Sequence, residues 1–184
     1  MRSQSVVGDN AAVLRRAPFP LLAQMPAELH DVILDFRWDI ERLHALDLPT
    51  CTVAASDLAW HLDLPFWSVR GVQFQISPTE VAANPALHQK HWQRTLAAEL
   101  RYPLDAYLRW DGQIVVLDGI HRLLKASLMD RTDIPVRVLA PHQFGAIAVL
   151  QPLDTIPTDH AAEEFLTRTP VTQDASPTPL RRAE

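Results

Sequence analysis

The clearest periodicity in the chain is Val72-Gln-Phe-Gln-Ile76, where apolar and polar residues alternate as in a half-buried strand. Ser77-Pro-Thr-Glu80 follows and predicts a helix start. Ser77 is the cap, Pro78 suits the first helical position, and Glu80 closes a capping box. A second helix is predicted from Asn84-Pro85 to about Leu100, with Trp92, Leu96 and Leu100 on one face. Leu104–Trp110 then reads as a strand, Asp111-Gly112 as a hairpin turn, and Gln113–Leu117 as a more apolar, central strand. Ile120–Met129 has helical periodicity, with Leu123, Leu124, Ser127 and Leu128 toward the core, and Ile134-Pro-Val-Arg-Val-Leu139 closes as a strand. The expected class is α+β, a small mixed sheet flanked by helices.

Before this region the pattern is less regular. Val32–Phe36 fits a short strand or the end of a helix begun near Pro26. Asp39 caps a predicted helix to Leu46, and Ser56 caps another to Leu62. Leu-Asp-Leu-Pro ends both segments, at 46–49 and 62–65, with Pro as the stop. Residues 1–18 and Thr167–Glu184 carry too little apolar surface to offset ordering entropy and are expected to be disordered. The expected organisation is a flexible segment 1–25, an extension 26–71 packed on the core, a domain 72–155, and a largely disordered tail 156–184.

Composition narrows the chemistry. Only 5 of 184 residues are Gly, and none are close neighbours, so glycine-rich dinucleotide and phosphate loops are excluded. The net charge of −5 lacks the bulk basic character of a duplex-binding domain. The single cysteine, Cys51, forms no internal disulfide, which fits a reducing cytoplasm, and it reads as a small buried hydrophobe. No apolar run approaches the roughly 20 residues of a membrane span. Arg15-Arg16 is followed by a stretch that Pro18, Pro20, Gln24 and Pro26 interrupt, so no export signal is read and no membrane partner is expected.

The most informative stretch is Ile114-Val-Val-Leu-Asp-Gly-Ile-His-Arg-Leu-Leu-Lys125. A strand ends in Asp118-Gly119 and a helix begins at once. Unpaired N–H groups and the positive dipole end make such a start an anion site. Gly119 allows a sharp turn and is the glycine least expected to tolerate change. His121, Arg122 and Lys125 place cations where they are unfavourable unless an anion sits among them. The competing reading is that Asp118 caps the helix, His121 packs half-buried, and Arg122 pairs with a surface acid.

Ile114–Lys125 with Ile134-Pro-Val-Arg-Val, Ile76-Ser-Pro-Thr-Glu-Val and Tyr102-Pro103-Leu104 resembles the ParB/sulfiredoxin superfamily over about 72–139. The resemblance implies a ParB/sulfiredoxin-like fold and nucleotide binding. Sulfiredoxin has a catalytic Cys directly before its His-Arg pair; Ile120 stands there, against sulfinic acid reduction. Partitioning ParB proteins have Gly-Glu-Arg-Arg and a second phosphate motif, and neither occurs here, which argues against a CTP-gated DNA clamp. The Asp-Gly-x-His-Arg variant is similar in type to the free serine kinases. That likeness implies that Asp118, Gly119, Ile120, His121, Arg122 and Lys125 bind nucleotide phosphate, with Asp118 and His121 catalytic. It implies Glu80 as base on a hydroxyl, and Mg2+ with ATP, ADP or CTP. The capping box alone also accounts for Glu80.

His88 and His91 share a helix face that would need a third ligand to hold a metal; a solvated face is the simpler reading, a place bordering the 118–122 loop against ligand phosphate is the alternative, and no metal site is assigned. The five Trp residues (38, 60, 67, 92 and 110) read as core packing rather than a nucleic-acid platform. Three functional readings follow. The first is a nucleotide hydrolase or small-molecule phosphotransferase. The second is a non-catalytic regulatory module of plasmid or phage accessory type with a protein partner. The third is a ParB-like nuclease, disfavoured by the acidic balance.

Overall fold

Strand Leu104–Leu108 (β5) is built from residues that must face two ways, and it is an inner strand of the principal sheet. Leu104 and Ala106 enter one hydrophobic cluster, while Asp105 and Tyr107 are buried on the opposite face. A computed structural model describes residues 13–153 of the chain. Its principal sheet has four strands. Thr50–Ala54 (β2) runs antiparallel to Asp133–Leu139 (β7), β7 is parallel to β5, and β5 is antiparallel to Ile114–Asp118 (β6). With several helices and two further strand pairs, the fold is α+β.

One face of the sheet is covered by Ile120–Leu128 (α5), with Ala55–Leu58 (α2) and Pro78–Ala83 (α3) adding Leu58 and Val81 to the same core. The other face is covered by residues before β2 and after β7. Tyr107 packs edge-on to Phe144, at 5.4 Å between ring centroids, and Phe144 meets Phe36 at 5.9 Å. Helix Ile40–Ala45 (α1) lies within this second layer, and Leu43 is its buried anchor. Asp39 caps it as expected, its Oδ1 accepting from the N–H groups of Glu41 and Arg42 at 2.9 and 3.0 Å. Such a cap contributes about 1 kcal/mol.

Several expectations need correction. Strand Val72–Ile76 (β4) forms, but it pairs with Trp67–Val69 (β3) as a separate hairpin rather than joining the main sheet. The fourth strand of the sheet is β2, where Cys51 is exposed on the edge rather than buried. Strand β6 is an edge strand, not a central one. Its outward Val116 N–H is covered by the buried His61, which lets so apolar a strand lie at the edge. Ser56 does not cap α2, whose cap position is Ala54. Val32–Phe36 is neither strand nor helix; Phe36 makes one isolated bridge with Pro18. Leu14–Arg16 (β1), within the segment expected to be disordered, pairs with Leu150–Pro152 (β8). Residues 1–12 of that segment and the whole expected tail 156–184, Thr167–Glu184 included, lie outside the described residues.

The helix faces also differ. In Gln89–Ala97 (α4) the fully buried residue is Thr95, and Leu96 is exposed. Trp92 and Leu100 do pack on the core. In α5 the inward residues are Leu123, Leu124 and Ala126, whereas Ser127 and Leu128 are exposed. Trp110 is 90% exposed beyond β5, so it takes no part in an aromatic core. Among the described residues, no helix is long and apolar enough to cross a membrane.

Candidate functional site

At the end of β6 the chain must leave the sheet and turn into α5 within one residue. Gly119 does this with φ of +108°, a left-handed value that side-chain-bearing residues rarely adopt. A Cβ there would lie 2.6 Å from Leu104 Cδ2 and 2.8 Å from Arg122 Nη2. Backbone strain and crowding therefore act together. Gly119→Ala is expected to cost about 1–3 kcal/mol of stability. Urea denaturation measures this, and a variant as stable as the parent would contradict it.

Gly119 occupies the cap position of α5, and no side chain caps the first turn. The Asp118 cap reading is therefore incorrect; Asp118 ends β6 and faces Arg122 instead. The helix start opens on a cleft of about 330 Å³ lined by Trp67, Ala98, Glu99 and Leu117–Arg122. That is near the lower end for small-ligand sites.

The cations of the first turns are locally compensated. Arg122 Nη2 donates to Asp118 Oδ2 at 2.7 Å. Its Nε is buried with no hydrogen-bond partner. Lys125 does not line the cleft: its ammonium donates to the carbonyls of Leu96 and Ala98, at 2.6 and 2.7 Å, at the C-terminal end of α4. A cation there is favoured by the helix dipole. His121 is held neutral, its pKa lowered to about 3 by burial and then by Arg94 and His91. The expectation that this helix start concentrates unpaid positive charge is thus overturned. What remains for an anion is the uncapped backbone and the Nε–H of Arg122.

The His121 ring lies in an aromatic group. It stacks on Trp67 at 4.3 Å, and Trp67 stacks on His91 at 4.8 Å. His91 Nε2 donates to the carbonyl of Ser68 at 2.9 Å, which assigns its proton to that nitrogen and leaves the buried Nδ1 without a partner. His121 Nε2 is likewise buried and without a partner. The sequence offered His88 and His91 as a possible ligand pair or as neighbours of the 118–122 loop; His91 does lie beside that turn, 6.0 Å from His121 between ring centroids.

Glu80 stands apart from the cleft. It is exposed, and its Oε2 accepts from Ser77 N–H at 2.8 Å while Ser77 Oγ accepts from Glu80 N–H, so the capping box is complete. These bonds to Ser77 hold its carboxyl below the usual carboxylate range, the wrong direction for a base. The fold brings together Asp118, Gly119, Ile120, His121 and Arg122, and it leaves out Glu80 and Lys125.

Two residues that sequence patterns did not single out also reach the site. Asp105 is buried, and it stands opposite Asp118 in the β5–β6 register, where an irregularity follows it. His44 Nε2, from α1, lies 3.5 Å from Asp105 Oδ2 and 3.8 Å from Asp118 Oδ2. On the other side of Asp105, Arg137 Nη1 is 3.5 Å from Oδ1. Burial raises the Asp105 pKa, and Arg137 and then His44 oppose that shift. A polar residue inside the apolar run of a predicted strand was the one available signal for Asp105. His44 carried none, because α1 meets β5 only through tertiary packing.

No family model matches this chain, and no curated protein or solved structure shows significant similarity to it.

Proposed function

We propose that this chain is a ParB/sulfiredoxin-like nucleotide-binding protein whose cleft at the start of α5 holds nucleotide phosphate. The observation that carries the reading is the uncapped first turn after Gly119, opening on the cleft. Backbone N–H groups at such an end are suited to phosphate oxygens. The side chains fit a phosphate-bearing ligand in part. Arg122 borders the cleft with a spare buried Nε–H, and His121 offers a neutral ring. Asp118 is the residue that would face Mg2+ of a bound nucleotide, and that ion would neutralise phosphate charge. Hydrolysis or phosphotransfer would draw on Asp118 rather than Glu80, which does not line the cleft.

Glu99 also lines the cleft, ion-paired to Arg101 at 2.6 Å. Its charge works against a phosphate. ATP, ADP or CTP at millimolar concentration with Mg2+ is expected to raise the melting temperature. Glu99→Gln is expected to tighten the apparent affinity about two- to fivefold, the range for an exposed charge. If none of the three nucleotides shifts the melting curve of either protein, the reading fails.

One observation favours a regulatory module with a protein partner. Trp110 is 90% exposed beside the Asp111-Gly112 turn, with Leu108 also exposed. Exposed aromatics of this kind anchor protein interfaces. Under that reading Trp110→Ala abolishes co-purification of a stoichiometric partner and leaves nucleotide-induced shifts untouched.

A further inference from the structure

The charged cluster at the mouth of the sheet has features that ion pairing alone does not explain. Asp105 and Asp118 are paired across two strands, and like charges placed opposite each other destabilise a sheet. The irregularity between Asp105 and Ala106 is the kind of local break that re-aims a side chain. Asp105 is only 2% exposed; its Oδ1 has no hydrogen-bond partner and faces Arg137 Nη1 at 3.5 Å, so it is Oδ2 that turns toward His44. A buried carboxylate normally has such partners, because leaving one unmade costs about 1–3 kcal/mol or more.

The distances are also informative. Charge-assisted N–H···O bonds close to about 2.7–2.9 Å. His44 Nε2 stops at 3.5 Å from Asp105 Oδ2 and 3.8 Å from Asp118 Oδ2. All three donor atoms lie within 4.8 Å of one another. Donor atoms around one metal at about 2.0–2.2 Å stand about 3.0–3.5 Å apart. His44 Nε2 is at the outer edge of that spacing from Asp105 Oδ2 and just beyond it from Asp118 Oδ2, too far for direct hydrogen bonds, while the cluster as a whole spans up to 4.8 Å. His44 is half exposed and Asp118 partly so, which gives both side chains room to close on the buried Asp105.

We propose that His44 Nε2, Asp105 Oδ2 and Asp118 Oδ2 form a site for one divalent first-row transition cation of the Zn2+ or Mn2+ type. The imidazole nitrogen favours Zn2+ over Mg2+ and Ca2+, which take oxygen ligands, and the two carboxylates suit Mn2+ as well. Arg137 and Arg122 contact the two carboxylates and orient them as outer partners do. Arg122 shares Asp118 Oδ2, where a second lone pair remains for the metal. Three protein ligands leave a position for water or a ligand atom. Asp118 also lines the cleft, so that position lies at its edge. The site does not rest on nucleotide binding, and the metal alone is its probe.

The test uses the full chain, stripped with a chelator and titrated with Zn2+ or Mn2+ in the absence of nucleotide. Calorimetry gives stoichiometry and affinity, and the Mn2+ paramagnetic resonance signal reports bound metal. One equivalent is expected to bind. His44→Ala and Asp118→Asn should each weaken binding at least about tenfold. His88→Ala, which removes an imidazole outside the cluster, should bind as the parent does, and Mg2+ should bind at least about tenfold more weakly. Circular dichroism of the metal-free variants confirms that they fold. Failure to take up either metal overturns the proposal, and so does equal affinity in the parent and in folded His44→Ala; the cluster is then a charge network alone.

Discussion

His61→Phe is expected to lower the unfolding free energy by about 2–4 kcal/mol. His61 is fully buried and satisfies two backbone groups at once. Its Nδ1–H donates to the Leu58 carbonyl at 2.9 Å. Its Nε2 accepts from Val116 N–H at 3.0 Å. The second bond covers an outward N–H on the edge of the sheet, so His61 ties the helical layer to β6. Phe would preserve much of the ring packing with Trp60 and Phe66 while leaving both backbone groups unpaired. Urea denaturation measures the loss. A change under about 1 kcal/mol would mean that water reaches Val116 and the inferred role is wrong.

Acidification is expected to be the strongest environmental stress on this fold. Burial, the largest cause, lowers the His61 pKa from 6.5 to about 4 and the His121 pKa from 6.5 to about 3. His91 shifts the same way, again mainly through burial. In each case the unfolded chain binds a proton before the folded chain does. Their stabilisation is therefore complete above about pH 6.5 and is lost as the pH falls toward the folded values. His61 alone supplies about 3 kcal/mol across that interval. Asp105 runs the other way: its raised pKa makes its burial less costly as the pH falls through the folded value. One acid against three imidazoles does not reverse the sign. The urea midpoint should fall steadily from about pH 7 to about pH 4, and His61→Phe should flatten that slope. A midpoint constant over that range would refute the assignment of neutral, buried imidazoles.

The parts of the fold that were legible rest on local chemistry. Ser77, Pro78 and Glu80 specify a helix start within one turn of chain, and the complete capping box forms there. Asp39 does the same for α1. Asp111-Gly112 turns β5 into β6, with Gly112 at φ of +85°. Illegible features depend on which surface covers which. Leu96 and Leu128 have the right spacing for a core face, yet the neighbouring elements cover Thr95 and Ala126 instead. A run as apolar as Ile114–Leu117 suggests a central strand, but His61 and the helices bury an edge just as well.

The candidate site divides along the same line. Sequence by itself determined that a strand ends at Asp118, that Gly119 makes the turn, and that a helix follows with His121 and Arg122 in its first turn. Those are properties of neighbouring residues and their backbone preferences. Only the tertiary structure decided where each charge is spent. Lys125 reaches the end of α4, Arg122 folds back on Asp118, and Glu80 stays on its own cap. His44 and Asp105 meet Asp118 because α1 packs over β5, and no local preference encodes that contact. A side chain's partner is set by whatever the folded chain carries within a few ångströms, and for long or buried charged groups that neighbour comes from elsewhere in the sequence.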